Sequence, residues 1–411
     1  MFESWESPIL SAGFVAVDTF FFMSGYLLYY VLNKQNQNRA VVAVIALLRR
    51  FIRGTIPMFF MIMCIYLLPL IASGPNSKEF YDRFYTEVRD HWWHLLVQIR
   101  NWRSQDFDVA TMAHLWYLSV DYQLFIVALV VIQTFRRKKW LVAFIFAGLS
   151  LLCCGIASWE IYGTHMLPFI VSLYPSYKVV LDTTTYYYEL PFYHAVCFFS
   201  GCITFTLVEQ YGKAKISKMI QALLWCTALF CGLCCLFMKL AWNRSEERRT
   251  ETIRMFAAFS DRILWSICMA WFSFACITGR GGIVNGFLSW KGFAPLGRLS
   301  FGVYLIHVPF YHVMNRISRE RRFYSHFTMV SNCFVVLTWS YILSYILSIA
   351  CELPFAHLEK LVFMRGFRKD NGATENWQKR DHDEREDAKD TPVIAINSST
   401  YKITPLRHEL P

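Results

Sequence analysis

Long apolar segments dominate this chain and constrain its fold more than any other feature. A helix that crosses a membrane needs roughly 20 mostly apolar residues, because it rises about 1.5 Å per residue through a hydrocarbon core about 30 Å thick. We therefore predict an all-α fold, a polytopic membrane helical bundle of about nine transmembrane helices. The candidate spans are residues 9–32, 43–72, 113–134, 140–160, 192–209, 218–240, 261–279, 293–313 and 327–351.

The overall composition supports a membrane protein. Hydrophobic residues make up 55% of the 411 residues and charged residues only 17%, too few to cover the surface of a soluble domain of this size. All 13 cysteines lie in or beside apolar stretches, with spacings that fit neither a disulfide framework nor a metal site. We predict no bound metal and no bound cofactor.

Basic residues separate the spans in a pattern typical of a multi-pass protein. The net charge of +11 is spread over short clusters that follow alternate spans, such as "RRKK" at 136–139, and loops of this kind face the cytoplasm. This distribution argues against nucleic acid as a partner and predicts an integral protein of the plasma membrane or endoplasmic reticulum. One basic loop, "NRISRERR" at 315–322, falls on the opposite side, unless the eighth span is broken by Gly302 and Pro309 and is re-entrant.

The chain changes character near residue 366. The segment that follows contains "DNGATENWQKRDHDEREDAKD", in which charged and polar residues leave too little apolar surface to fold. We predict a transmembrane domain over residues 1–365 and a disordered, charged cytoplasmic tail over residues 366–411.

Two titratable residues interrupt the apolar run at 113–134. His114 and Asp121 are seven positions apart, which places them on one face of a helix and about 10 Å apart along its axis. That separation is too long for a direct hydrogen bond, so each needs another partner on a neighbouring helix, in water or in a ligand. Together with Gln123 they favour a polar cavity, whereas His114 alone would fit an interfacial position.

Other polar residues fall inside or at the ends of the spans, where ionisable groups are costly and often functional. Asp18, followed by Ser24, either caps a helix or pairs with a basic residue of a neighbouring helix, or else lines a substrate cavity. Arg50 and Arg53 lie one helical turn apart, so they either anchor the span or make forked contacts with phosphate or carboxylate. Three further polar residues lie close together near the C-terminal end: Ser300, Tyr304 and His307.

Four stretches, in this order, carry a family resemblance. They are "VDTFFFMSGYLLYY", "RRFIRGTIP", "HLWYLSVDYQLF" and "LGRLSFGVYLIHVPF". Over nearly all of residues 10–360 the chain resembles the acyltransferase-3 superfamily, in particular its animal branch of nose-resistant-to-fluoxetine-like proteins. The resemblance implies about ten transmembrane helices that move an acyl group from acyl-CoA, on the cytoplasmic side, to a lipid or small-molecule acceptor.

The resemblance also assigns roles to residues of this chain. It implies that Arg50 and Arg53 meet the charged portion of the acyl donor. His114, Asp121 and His307 match polar positions of the family's motifs, and we take these three as the catalytic candidates. Asp121 stands where bacterial members usually have Glu, in keeping with the animal pattern. The remaining matched or neighbouring polar residues are expected to line the cavity: Asp18, Ser24, Trp116, Gln123, Ser300 and Tyr304.

The family's first helix carries a basic residue and, eleven positions later, the expected catalytic histidine. Here the chain begins at "MFESWESPIL" and leads directly into what resembles the family's second helix. We therefore expect this histidine, and the extracellular cysteine-rich domain of the animal branch, to be missing. His114 and His307 are then the remaining candidates for a general base.

Three functions stay open on the sequence. The first is an acyltransferase-like membrane enzyme, and the second is a catalytically inactive transport protein for lipids or small hydrophobes on the same fold. The third is an ion-coupled carrier that would use Asp18 and Asp121 as coupling sites, although the chain lacks the internal repeats that mark many such carriers.

Overall fold

The computed structural model of the protein describes residues 7–35, 38–102, 111–170, 176–243, 249–319 and 325–358. Every regular element within these ranges is helical, which confirms the all-α class. The α-helices are α1 Ser7–Asn33, α2 Arg39–Leu67, α3 Ser77–Val97, α4 Trp116–Thr134, α5 Lys139–Ile161, α6 Tyr177–Thr183, α7 Pro191–Tyr211, α8 Lys218–Asn243, α9 Glu251–Ile277, α10 Gly282–Leu288, α11 Phe293–Ile317 and α12 His326–Leu347. The predicted tail, residues 366–411, lies outside the described ranges.

Each predicted span coincides with a helix, but fewer than nine meet the requirements for crossing a membrane. In the described parts of the chain, seven helical segments are long and apolar enough, and an eighth is obtained if α9 and α10, which meet at an angle of 83°, form one bent span. Of the two alternatives for the eighth segment, the structure has the unbroken one, because α11 continues through Gly302 and Pro309 as one helix. The sharp bend occurs one connection earlier, between α9 and α10.

The largest hydrophobic core surrounds α7. This helix packs against α1, α4, α5 and α9, and α8 joins through its contacts with α1 and α9. Residues on every side of α7 are buried, among them Cys197, Phe198 and Phe199, so the helix is hydrophobic all round rather than amphipathic. We call these six helices the main bundle.

Two glycines bring α1 and α7 into backbone contact. A Cβ atom on Gly25 would lie 2.0 Å from the carbonyl oxygen of Phe198, and a Cβ atom on Gly201 would lie 2.0 Å from the carbonyl oxygen of Phe22. The relation is reciprocal, as in the small-residue contacts by which membrane helices approach closely. Only glycine fits at either position.

A second hydrophobic core forms beside the main bundle from α2, α3, α11 and the end of α12. Met58 of α2, Phe84 of α3 and Leu305 of α11 are fully buried within it. The loop predicted over residues 73–112 contains α3, an amphipathic helix that does not meet the requirements for a span and that leaves Trp92 and Trp93 about half exposed. We call this group the side cluster, and α2 and α4 join it to the main bundle.

The glycine contact gives a direct test of the packing. We expect Gly25→Ala and Gly201→Ala each to lower the free energy of unfolding by at least about 2 kcal/mol, because a methyl group would collide with a backbone oxygen that cannot rotate away. Gly148→Ala in α5 is the matched control, since its Cβ would meet nothing within 4 Å. Thermal unfolding of the detergent-purified variants measures the effect, and equal melting curves for all three would contradict the proposed contact.

Candidate functional site

Three polar residues meet where α1, α2 and α4 converge. Ser24 Oγ donates to Asp121 Oδ1 at 2.8 Å, and Arg50 Nε donates to Asp121 Oδ2 at 3.0 Å. Arg50 Nη2 also contacts both Asp121 Oδ2 and Ser24 Oγ, so two nitrogens of the guanidinium converge on one carboxylate oxygen. We call these three residues the arginine site.

The arginine site lies deep within the helices. We measure the depth of each residue along its helix axis from the end that is predicted to face the cytoplasm. This depth is about 14 Å for Ser24, about 17 Å for Arg50 and about 20 Å for Asp121. The Asp121 side chain is 12% exposed and that of Arg50 is 29% exposed, with the Arg50 guanidinium 4.7 Å from the centre of the Phe125 ring. Each charge at this depth is compensated by the other, which is what burial away from water requires.

Arg53 does not belong to the arginine site. It lies one turn further along α2 and is exposed, whereas Arg50 points towards α4. The predicted arginine pair is therefore divided between an inward, paired guanidinium and an outward one.

His114 lies in the short helical turn Ala113–Leu115 that leads into α4. Its Nε2 is 3.2 Å from the carbonyl oxygen of Leu305 in α11. A carbonyl only accepts, so Nε2 carries the proton and Nδ1 carries the lone pair. Nδ1 is buried and has no hydrogen-bond partner among the described residues. The ring is thus held in the tautomer that can accept a proton at Nδ1.

Tyr304 and His307 of α11 complete a cluster around His114. The His114 ring is 5.6 Å from the Tyr304 ring and 5.7 Å from the His307 ring, and the Tyr304 hydroxyl donates to the backbone carbonyl of His114. His307 Nδ1 donates to the Tyr304 carbonyl at 2.7 Å, which leaves its Nε2 as the basic nitrogen. We call these three residues the histidine site.

The two sites are neighbours along α4. Asp121 is about 10 Å further along the axis than His114, and Tyr117 lies between them with its ring 5.4 Å from that of Tyr304. As the spacing predicts, His114 and Asp121 do not bond to each other, and each has a partner on a neighbouring helix.

The other expected cavity residues have structural partners elsewhere. Ser300 Oγ donates to the Gly297 carbonyl of its own helix at 2.8 Å. Gln123 exchanges hydrogen bonds with Asn101, at 2.8 and 3.3 Å, and so holds the chain that leaves α3. Trp116 is buried and stacks on His194.

Asp18 lies in a different group of charges from Asp121. Its Oδ1 is 2.8 Å from His194 Nδ1, and its Oδ2 is 2.8 Å from Arg262 Nε. Asp261 in turn is 2.8 Å from Arg262 Nη1 and 3.7 Å from Lys239 Nζ. All five side chains are at least 98% buried, and we call them the charge cluster.

The sequence contains the signal that identifies the charge cluster. His194, Lys239 and Asp261 fall inside predicted spans, where ionisable residues are costly, by the same criterion that singles out Asp18. Predicted boundaries hide part of the signal, because the segment 261–279 places Asp261 and Arg262 at a helix end. In the structure α9 begins ten residues earlier, at Glu251, which puts both residues well inside the helix.

A further buried ion pair lies close to the turn that carries His114. Glu87 of α3 pairs with Arg100, and Glu87 Oε2 accepts from the Thr111 backbone at 2.8 Å and from its hydroxyl at 2.6 Å. The backbone N–H of Arg100 donates to Ser119 Oγ in α4 at 3.1 Å. The pair ties α3 to the turn that carries His114.

No group of three or more metal-binding side chains is found among the residues that the structure describes. The 13 cysteines are free, and none forms a disulfide bond.

The helices and sites together define a class of protein: a multi-pass integral membrane protein with polar sites between its helices. Residues 1–353 match the acyltransferase domain of the acyltransferase-3 family, so the chain belongs to that family. This confirms the family expected from the four sequence stretches.

Two characterised relatives describe the similarity further. The chain is 25% identical over 397 residues to nose resistant to fluoxetine protein 6 of Caenorhabditis elegans, which covers 88% of this chain and 46% of the relative. It is 26% identical over 123 residues to the O-acetyltransferase OatA of Staphylococcus aureus, which covers 28% of this chain and 20% of that protein. The chain thus spans less than half the length of these relatives, and no solved structure matches it.

The arginine site can be tested through coupling between its two charges. We expect Arg50→Leu or Asp121→Leu alone to cost about 2 kcal/mol of unfolding free energy, less than a fully buried pair because Arg50 is 29% exposed. The double variant should cost less than the sum, since it leaves no charge uncompensated.

The pair Lys139–Glu209 is the matched control. Its side chains are 31% and 30% exposed, so the single losses there should stay below about 1 kcal/mol and show little coupling. Unfolding curves of both cycles give the coupling energies, and equal coupling in the two pairs would contradict the special burial of the arginine site.

Proposed function

We propose that the chain is a membrane acyltransferase-like protein that transfers an acyl group from acyl-CoA to the hydroxyl of a lipid or small-molecule acceptor. The observation that carries the proposal is the His114 ring, whose buried Nδ1 has no hydrogen-bond partner among the residues that the structure describes. Membership of the acyltransferase-3 family and the similarity to an O-acetyltransferase support it.

Arg50 and Arg53 would bind the phosphate groups of the acyl donor. Arg53 is exposed, and the described contacts of Arg50 use Nε and Nη2, so the two hydrogens on Nη1 remain for an anion. Phosphate groups are ligands that arginine binds with its planar fork. With the basic loops facing the cytoplasm, both arginines lie nearer the cytoplasmic ends of the helices than His114 does.

The separation between the two sites suits an extended donor. Bound by its phosphates near Arg50 and Arg53, acyl-CoA would reach along α4 with its pantetheine arm and bring the thioester towards His114, about 10 Å from Asp121. Proximity of this kind turns the reaction into an effectively intramolecular one.

His114 has the geometry for general base catalysis. Its Nδ1 would take the proton of the acceptor hydroxyl while the hydroxyl oxygen forms a bond to the thioester carbon. As the tetrahedral intermediate collapses, the carbon–sulfur bond breaks, and the protonated imidazole returns its proton to the leaving thiolate of CoA. The bond from Nε2 to the Leu305 carbonyl keeps the ring oriented throughout.

The ion-coupled carrier is less well supported. Both carboxylates that it would use are paired with arginine, Asp18 with Arg262 and Asp121 with Arg50. A carboxylate in such a pair has little charge left for a coupled cation. The catalytically inactive lipid or small-hydrophobe transport protein keeps the same donor contacts without chemistry. We place the protein in the plasma membrane or the endoplasmic reticulum.

The purified chain in detergent tests this function with acetyl-CoA as the donor probe and release of free CoA thiol as the readout. We expect Arg53→Gln to raise KM for acetyl-CoA about tenfold with kcat nearly unchanged, because it removes one contact with the donor. His114→Gln should lower kcat by roughly 100-fold or more, the usual contribution of a general base. Arg137→Gln, which changes an exposed arginine in the connection between α4 and α5, is the control and should change neither.

Three results would count against the proposal. Saturable binding without thiol release would favour the inactive transport protein. Full activity in His114→Gln, with loss in His307→Gln, would move the base to His307. No binding of acetyl-CoA would remove the donor assignment of the arginines.

A further inference from the structure

His194 of α7 has an oxygen acceptor at each ring nitrogen. Nδ1 is 2.8 Å from Asp18 Oδ1, and Nε2 is 2.7 Å from the backbone carbonyl of Tyr188. The carbonyl only accepts, so Nε2 carries a proton. A second proton must then lie between Nδ1 and the carboxylate, because two lone pairs at 2.8 Å would repel each other. The His194–Asp18 pair therefore holds one proton more than a neutral imidazole beside a carboxylate.

The neighbouring charges decide where this proton lies. On the far side of Asp18, Arg262 Nε is 2.8 Å from Oδ2, and a guanidinium at this distance stabilises the ionised carboxylate. The proton accordingly belongs to His194, which becomes an imidazolium. The ring also stacks on Trp116, with centroids 5.0 Å apart at an interplanar angle of 25°, and an indole face attracts a cation.

Further titratable groups surround the ring on the other packed elements. Asp261 of α9 pairs with Arg262, and Lys239 and Cys235 of α8 contact Asp261, so Arg262 and Lys239 share this one carboxylate. Tyr188 and the buried Glu189 belong to the segment before α7. Tyr193 of α7 donates its hydroxyl to Asp261. The Phe21 ring of α1 lies 4.9 Å from the His194 ring. On the α4 side are Trp116 and Tyr117.

Trp116 connects this ring to the histidine site. It is the first residue of α4 and follows the turn Ala113–Leu115 that carries His114. The stacked His194 imidazolium holds the Trp116 indole in place, and Trp116 in turn holds the start of α4 in place. Neither ring nitrogen of His194 is available to a substrate, so an effect on the reaction passes through the rings packed on it, of which Trp116 is the one that begins α4.

We propose that His194 is held as an imidazolium between Asp18 and the Tyr188 carbonyl, and that it acts as a positioning residue for His114 through Trp116. The proposal has two halves. The positioning half, that His194 positions His114, rests on the function proposed above, whereas the protonation half, that His194 is an imidazolium, does not. Its partner Asp18 is then the counter-ion of a positioning cation and not a cavity residue.

The protonation half is tested by nitrogen-15 spectra of the full-length chain with labelled histidine, in detergent at neutral pH. We expect one doubly protonated ring that correlates with Trp116 side-chain protons, which identifies His194 in the unsubstituted chain without any variant. His194→Gln should remove this signal, and Asp18→Asn should convert it to a neutral tautomer, because an amide no longer compensates the charge. His165→Gln is the matched control, since His165 makes a similar 2.7 Å contact with Asp182 but is 59% exposed.

The positioning half is read from kinetics and from the His114 signal. We expect His194→Gln to lower kcat about tenfold with KM for acetyl-CoA unchanged and to shift the His114 resonances, while His165→Gln does neither. A neutral single-proton tautomer at His194 in the unsubstituted chain would overturn the first half. Unshifted His114 resonances in folded His194→Gln would overturn the second. If the unsubstituted chain lacks turnover altogether, the proposed function fails, yet both spectral readouts still decide this proposal.

Discussion

Compensation of charge away from water is the constraint on which the rest of the structure depends. An isolated charge among apolar helices costs several kcal/mol, so each ionised side chain inside the main bundle must find an opposite one on another helix. Asp18 and Arg262 join α1 to α9, and Arg50 and Asp121 join α2 to α4. These pairs do little for stability compared with apolar packing of the same volume, but they specify which helices are neighbours and in what register.

The same pairs separate two tasks along the helices. The charge cluster is closed, since its five side chains are at least 98% buried and form ion pairs with one another. The arginine site is partly open, with Arg50 29% exposed. A closed cluster suits the support of a site, and a partly open one suits contact with a charged ligand. The histidine site lies between the main bundle and the side cluster, where residues of α4 and α11 meet.

The positions of the long helices were predictable from the sequence because hydrophobic length is a local property, and each predicted segment coincides with a helix, although fewer than nine of them meet the requirements for a span. The partners of the polar side chains were not predictable, because they depend on how helices distant in the sequence are arranged in space. The spacing of His114 and Asp121 correctly separates them but cannot say that Leu305 and Arg50 are their partners. Arg53 has the same side chain as Arg50 and faces outward, a difference set by helix rotation. The position of Asp261 and Arg262 inside a helix was missed, because the predicted span begins at Asp261. The helix α9 begins ten residues earlier, at Glu251.

The reciprocal contact of Gly25 and Gly201 has a consequence for how such a protein can move. A Cβ atom on either glycine would lie only 2.0 Å from a backbone oxygen of the other helix, so no space remains between the two backbones for an intervening molecule. Because the helices are packed this closely, we expect α1 and α7 to move together as one rigid unit. Displacement must then occur elsewhere, and the seam between the main bundle and the side cluster, crossed by α2 and α4, is the natural hinge line.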